Sequence, residues 1–111
     1  MKIYRLQDSE GTGPYYHYGF LEISELHNEN LDKWPGVYDD IEDYDCDSDL
    51  SGCTSIRKLY QWFGKEAISR AKHMGFSIVC HEIDKCHVKF GVSGKQVAFD
   101  PKYTKRKYKY G

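Results

Sequence analysis

The stretch Ser55-Ile-Arg-Lys-Leu-Tyr-Gln-Trp-Phe-Gly64 decides the fold that this sequence predicts. Its apolar side chains recur at positions i, i+3, i+4 and i+7, which places on one helix face Ile56, Leu59, Tyr60 and Phe63. Thr54 or Ser55 can cap such a helix with a side-chain oxygen, and Gly64 is a residue type that commonly ends one. The stretch therefore predicts an amphipathic helix that packs against a core.

Outward from this stretch, the chain alternates between helical and strand patterns. Helical spacing returns over residues 65–74, and Gly75 stands where a helix commonly ends. Apolar spacing also suggests a helix over residues 20–31. Alternating β-formers predict four strands, over residues 2–6, 76–83, 87–90 and 96–99. The expected fold class is α+β, a small antiparallel sheet with two or three helices.

Length and composition favour a single domain spanning residues 1–111. The chain has 111 residues, of which 40% are apolar and 15% aromatic, enough to build one core and too few for two. No run approaches the roughly 18 consecutive apolar residues of a membrane span, and the first residues lack the apolar core of a signal peptide. We therefore expect a cytoplasmic protein with no membrane partner.

Charge is divided unevenly along the chain. Residues 1–55 hold 13 acidic and 3 basic side chains, whereas residues 56–111 hold 4 acidic and 13 basic ones. Seven carboxylates lie within eleven residues, Asp39, Asp40, Glu42, Asp43, Asp45, Asp47 and Asp49. Because these carboxylates repel one another, residues 39–49 are expected to form a surface loop rather than a regular helix or a paired strand.

This acidic run has three possible explanations. An EF-hand calcium loop fails, because a loop that starts at Asp43 ends on Thr54 and one that starts at Asp47 ends on Lys58, where a glutamate is needed. An acidic docking surface can imitate a phosphate backbone and compete with nucleic acid for a basic partner. A solvated loop that only balances the basic half is the simplest explanation.

The basic counterpart lies at residues 102–110, where cationic and aromatic side chains interleave. Phosphate contact combined with base stacking would use Lys105, Arg106, Lys107 and Tyr108. The same composition is typical of an edge strand that lysines protect from further pairing. Single-stranded nucleic acid is therefore one candidate partner.

Trp62 falls outside the strict apolar face of the helix at 55–64. It can close the core, or it can be an exposed anchor for a protein partner, because tryptophan is enriched at binding hot spots.

Cys46, Cys53, Cys80 and Cys86 are expected to be free thiols because the chain lacks an export signal. Cys80 and Cys86 alternate with other residues as in a strand, a pattern typical of small core residues. Paired zinc ligands are usually spaced about two to four residues apart. The cysteine pairs here are separated by five or six residues. No metal site is predicted.

Arg5 lies on the first predicted strand, close to a glycine-rich loop. Gly11 and Gly13 allow close approach of the backbone to a ligand, and Tyr15 follows them. An arginine beside such a loop is a candidate contact for an anion or a nucleotide. The alternative is an ordinary ion pair of Arg5 with an acidic neighbour.

Several short motifs in a shared order resemble small uncharacterised proteins of bacteriophages and mobile elements. The order runs through Tyr4-Arg5, Gly11-x-Gly13-Pro14-Tyr15, Ser55-x3-Leu59-x2-Trp62-Phe63, Gly75-Phe76 and Gln96-Val97-x-Phe99. The resemblance spans most of the chain but leaves out residues 39–49. It implies a phage setting, in which a small cytoplasmic protein often binds a host or defence-system protein.

A more distant resemblance concerns the ADP-ribosyltransferase fold. Arg5 corresponds to the residue that orients NAD in that family, and Gln96 stands where the family has its catalytic glutamate. An amide offers hydrogen bonds without the negative charge that stabilises an oxocarbenium-like transition state. The resemblance thus implies NAD binding or a degenerate transferase rather than efficient turnover.

Three functions therefore remain open. A binding or inhibitory protein that acts on a host macromolecule is the leading hypothesis, because no complete catalytic set is present. An NAD-binding, transferase-like protein and a single-stranded nucleic-acid binder are the alternatives. No catalytic residue is assigned, and no cofactor is expected unless the NAD hypothesis holds.

Overall fold

The computed structural model describes residues 1–14 and 37–110. The strands and helices in these ranges are β1 Lys2–Gln7, α1 Val37–Asp40, β2 Leu50–Gly52, α2 Ile56–Phe63, α3 Lys65–His73, β3 Ser77–Glu82, β4 Val88–Phe90, β5 Val97–Phe99 and β6 Arg106–Lys109. Two short 3₁₀ turns, Lys85–His87 and Pro101–Tyr103, precede β4 and β6. The predicted α+β class is confirmed.

The helix pair forms where the sequence predicts it. Ser55 caps α2, because its Oγ accepts a hydrogen bond from the Lys58 N–H at 3.1 Å. Gly64 has φ +86°, a value that favours glycine, and it separates α2 from α3. The helix predicted over residues 20–31 lies outside the described residues.

The strands form two antiparallel sheets of three strands rather than the single small sheet that was predicted. The first sheet has the order β1-β3-β6, and the second has the order β2-β5-β4. The sequence patterns missed β2, which is short and ends in glycine, and offered β6 only as an edge-strand alternative. That alternative is confirmed, since β6 lies at the edge of the first sheet.

Two apolar clusters hold these layers together. Helices α2 and α3 pack on one face of the first sheet through residues that include Leu6, Leu59, Trp62, Ile68, Phe76 and Ile78. The second cluster joins the two sheets through Ile3, Ile83, Val88, Val97 and Phe99. Leu6 and Ile3 belong to opposite faces of β1, so the first sheet is the middle layer.

Trp62 is buried in the helix-side cluster, with 7% of its surface exposed. The interpretation of Trp62 as an exposed partner anchor is therefore wrong, and the core interpretation is correct. The reason is that α2 lies over the first sheet with α3 beside it. Neighbouring apolar side chains therefore also cover a ring that lies outside the strict apolar face of α2.

Helix length bears on membrane insertion. The longest helix in residues 1–14 and 37–110 is α3, with nine residues. None of the helices in these ranges has both the length and the apolar character of a bilayer span.

Candidate functional site

Residues 39–49, called the acidic segment below, lie beside the second sheet. Their first two residues belong to α1, so the expectation that no helix forms there is wrong for Asp39 and Asp40. The Ile41 N–H donates to the Val37 carbonyl at 2.9 Å, which closes this single turn. Five carboxylates of the segment are exposed, Asp39, Glu42, Asp43, Asp45 and Asp47.

Asp40 is buried and serves as a polar anchor. Its carboxylate accepts hydrogen bonds from the Ser93 N–H at 2.7 Å, from the Ser93 hydroxyl at 2.8 Å and from the Gln96 side-chain amide at 3.0 Å. Its carbonyl accepts from the Val92 N–H at 2.8 Å. Gly91 leaves the space for this arrangement, because a Cβ atom there would overlap the carboxylate. One end of the acidic segment is thereby fixed to the turn between β4 and β5.

Asp49 anchors the other end in a similar way. Its carboxylate lies 2.6 Å from Lys89 Nζ, on β4, and also accepts from the Asp45 N–H at 3.0 Å. The hydrogen bond to Asp49 raises the pKa of Lys89 above its ordinary value. Lys89 Nζ also donates to the Asp43 carbonyl at 2.5 Å, so the segment curls around this ammonium group. Asp40 and Asp49 are therefore structural and are not part of the exposed acidic surface.

The exposed carboxylates include one whose ionised form is specifically stabilised. Hydrogen bonds from the Asp47 N–H and from the Ser48 side chain lower the pKa of Asp45 below its ordinary value. Asp45, Cys46 and Asp47 also form the one trio of metal-ligating atoms grouped within 4.8 Å in residues 1–14 and 37–110. All three are exposed, and exposed acidic groups commonly stand together without a metal ion.

Arg5 lies on β1 with its guanidinium against the turn at residues 8–13. Its Nη2 donates to the Gly11 carbonyl at 3.3 Å, and a Cβ atom at Gly13 would approach the same nitrogen to 3.0 Å. Arg5 is 6% exposed, and burial lowers its pKa to about 10. The structure thus places Arg5, Gly11 and Gly13 together, whereas Tyr15 lies outside the described residues.

Gln96 makes a different contact from that of Arg5. It is buried just before β5, where its amide donates to Asp40. Its observed contact holds the acidic segment in place, which was not anticipated from the sequence. The hydrogen bonds found for Arg5 and for Gln96 within residues 1–14 and 37–110 go to different groups.

The basic segment at residues 102–110 is partly neutralised by nearby acids. Lys105 pairs with Asp84 at 2.8 Å, and Arg106 lies 3.9 Å from Glu82. The Arg106 guanidinium also covers the ring of Tyr108, with 4.8 Å to the ring centroid. Tyr108 is half-buried, so its ring is not freely available for base stacking. Lys107 is exposed, and no carboxylate pairs with it in the described parts of the chain.

No role was predicted for His81, which lies on β3 of the first sheet and forms hydrogen bonds with two side chains. Its Nε2 lies 3.2 Å from the Gln7 side-chain oxygen, which can only accept, so Nε2 carries the proton. Its Nδ1 then accepts from the Thr104 hydroxyl at 3.2 Å. Thr104 and His81 border a surface pocket of about 270 Å³ that is also lined by Pro101 and by residues 105–107. No pattern in the sequence around His81 predicts that its ring forms hydrogen bonds with Gln7 and Thr104.

His81 makes folding sensitive to acid. Burial, and then the charge of Arg5, lowers its pKa from 6.5 to about 4. Since the unfolded chain binds this proton more tightly, the free energy of unfolding should fall by up to about 3 kcal/mol as pH drops from 6.5 to 4. Urea unfolding at several pH values measures the slope. A His81→Gln variant should have a flatter slope in this window, and equal slopes for the two chains would contradict the assignment.

The four cysteines are free thiols, as expected. Cys53 and Cys80 are buried, in agreement with a core role, whereas Cys46 and Cys86 are exposed. Burial raises the pKa of the Cys53 thiol to about 12, so this thiol is unreactive. Cys80 and Cys86 were expected to be small core residues, which is confirmed for Cys80 and wrong for Cys86.

Comparisons with known proteins place the chain. Searches of curated proteins and of solved structures found no match, so the resemblance to the ADP-ribosyltransferase fold stays a prediction. A protein-family model described as the bacteriophage T4 Y00F protein matches residues 1–110, nearly the whole chain. This match confirms the phage setting that the order of short motifs implied. The chain belongs to the bacteriophage T4 Y00F protein family.

Proposed function

We propose that this phage protein acts by binding a host or defence-system protein through the exposed carboxylates of the acidic segment. The partner surface would be basic, of the kind that normally binds nucleic acid. The observation that supports this is the pair of buried anchors, Asp40 and Asp49, at the two ends of a segment whose other five carboxylates face solvent.

The anchors matter because they hold the exposed charges in one arrangement. A freely solvated acidic loop would lose conformational entropy on binding, which weakens the complex. Here the hydrogen bonds of Asp40 and the ion pair of Asp49 with Lys89 restrict the backbone before any partner arrives. A preorganised row of carboxylates is a better substitute for a phosphate backbone than a disordered one.

The chemistry of the exposed group also favours a cationic partner. Asp45 is held ionised by its hydrogen bonds, and Asp43 and Asp47 lie close to it in sequence. Closely spaced negative charges raise the rate of encounter with a basic surface and suppress binding to acidic ones. We therefore expect capture to be sensitive to salt.

The experiment compares capture of host proteins by three forms of the chain. The test variant carries Asp43→Asn, Asp45→Asn and Asp47→Asn, and the matched control removes three exposed charges elsewhere through Glu10→Gln, Glu66→Gln and Asp84→Asn. A protein captured from host lysate is identified, purified and titrated against each form. Three exposed pairs at about 0.5 kcal/mol each predict roughly tenfold weaker binding for the test variant.

The control form should bind as the wild type does, and a single-stranded oligonucleotide should compete with the phage protein for the partner. An equal loss of affinity in the test and control variants would show that overall charge alone is responsible, and a test variant that binds as tightly as the wild type would exclude the acidic segment. A captured protein that binds no nucleic acid and whose affinity ignores salt would overturn the proposal.

A further inference from the structure

The buried guanidinium of Arg5 lacks the partners that a cation in a protein interior normally has. Arg5 is 6% exposed, and its one hydrogen bond, from Nη2 to the Gly11 carbonyl, is long at 3.3 Å. Its Nε and Nη1 atoms are buried and have no hydrogen-bond partner. Five N–H donors are therefore served by a single carbonyl within the described residues.

No carboxylate in residues 1–14 and 37–110 forms an ion pair with Arg5. Burial lowers the pKa of Arg5, and the charges of Tyr44 and then Asp8 oppose this shift. The Oδ1 of Asp8, however, already accepts from the Glu10 and Thr12 N–H groups at 2.9 Å. These two bonds shape the turn at residues 8–13 rather than neutralise the guanidinium. A buried cation without a counter-ion is costly, and a bound ion is one explanation for buried donors that have no partner.

We infer that Arg5, together with the turn formed by Asp8 to Gly13, is a binding site for a phosphate oxyanion. The turn supports this inference because glycine at position 13 lets the backbone approach the guanidinium, where any side chain would be within 3.0 Å of Nη2. Arginine donors suit phosphate oxygens in number and geometry. Its ligand is a phosphate group, carried either by a nucleotide or by inorganic phosphate.

Replacement of Arg5 distinguishes a ligand site from a structural arginine by whether Tm rises or falls. In the absence of an anion, Arg5→Met removes a buried charge with unsatisfied donors and keeps an apolar side chain of similar length. Such replacements of buried ions are often stabilising, so Tm should rise by a few degrees, about 4 °C or more. If contacts made by the guanidinium stabilise the fold, Tm falls instead, and the inference is wrong.

The binding test measures Tm of the wild type with inorganic phosphate, ADP, NAD or sodium chloride at equal ionic strength. At least one phosphate compound should raise Tm of the wild type, and chloride should not. Arg5→Met should abolish this increase, whereas Arg57→Met, the same change at an exposed helix position, should retain it. A response to ADP or NAD alone identifies a nucleotide, and a response to inorganic phosphate identifies the bare group. No response to any of them, or an equal response in Arg5→Met, overturns the inference.

His81 offers a second readout that does not depend on stability. The charge of Arg5 helps to lower the pKa of His81 to about 4. An anion bound at Arg5 would offset that charge, so the His81 pKa measured by NMR should rise when the active phosphate compound is added. An unchanged His81 pKa at a ligand concentration that shifts Tm would place the ligand elsewhere.

Discussion

Replacement of Asp40 by alanine should lower the free energy of unfolding by about 4 kcal/mol. The change removes three hydrogen bonds to one buried carboxylate, two from Ser93 and one from the side-chain amide of Gln96. Each buried donor left unsatisfied costs about 1–3 kcal/mol, so the total approaches a large part of the stability of a small domain. Urea unfolding followed by circular dichroism measures the change.

The neighbouring residue provides the control for this prediction. Asp39 is exposed, and Asp39→Ala should change the free energy of unfolding by less than about 0.5 kcal/mol. Asp40→Asn should have an intermediate effect, because the amide keeps one acceptor oxygen but presents a donor to the other groups. Equal effects at positions 39 and 40 would mean that the buried anchor does not stabilise the fold.

Trp62→Ala should also lower the free energy of unfolding by about 4 kcal/mol. The indole ring lies in the cluster of α2, α3 and the first sheet, and its removal leaves a cavity that the surrounding side chains fill only in part. Thermal and urea unfolding both measure this loss. Trp62→Phe should recover most of it, because the smaller ring keeps much of the apolar contact.

Gln61→Ala, on the exposed side of the same helix, is the matched control for Trp62. It should leave stability nearly unchanged. A Trp62→Ala chain as stable as the wild type but defective in partner capture would restore the interpretation of Trp62 as an interface anchor.

The contribution of Asp40 to the stability of the fold is linked to the proposed function. Asp40 and Asp49 position the acidic segment on the hairpin of β4 and β5, so their loss should disturb the exposed carboxylates as well as the fold. For this reason the binding experiment replaces only exposed members of the segment. The same comparison separates a loss of binding caused by charge from one caused by unfolding.

Local patterns in the sequence predicted most of the elements. The spacing around Leu59 and the serine and glycine at the two ends of α2 identified that helix, because helix periodicity and capping act within a few residues. The strand at Ser77–Glu82 was predicted for a similar reason, from a run of β-formers. Short β2 had no such pattern and depends on its pairing with β5.

The candidate site was predicted only in part. The sequence identified Arg5, Gly11 and Gly13 as neighbours of one loop because they are close along the chain. It also identified all seven carboxylates of the acidic segment, but not the burial of two of them. Asp40 meets Ser93, which lies 53 residues away, and Asp49 meets Lys89, which lies 40 residues away.

By itself, then, the amino-acid order determined the fold class, the helix pair, the uneven distribution of charge and the membership in a phage protein family. Within residues 1–14 and 37–110, the tertiary structure alone decided that the strands form two sheets, that Trp62 is buried, that Asp40 and Asp49 are anchors and that Arg5 has no counter-ion. The physical reason is the separation along the chain of the residues that interact. Helix and strand preferences arise between residues close in sequence, whereas burial and ion pairing depend on groups that only folding brings together.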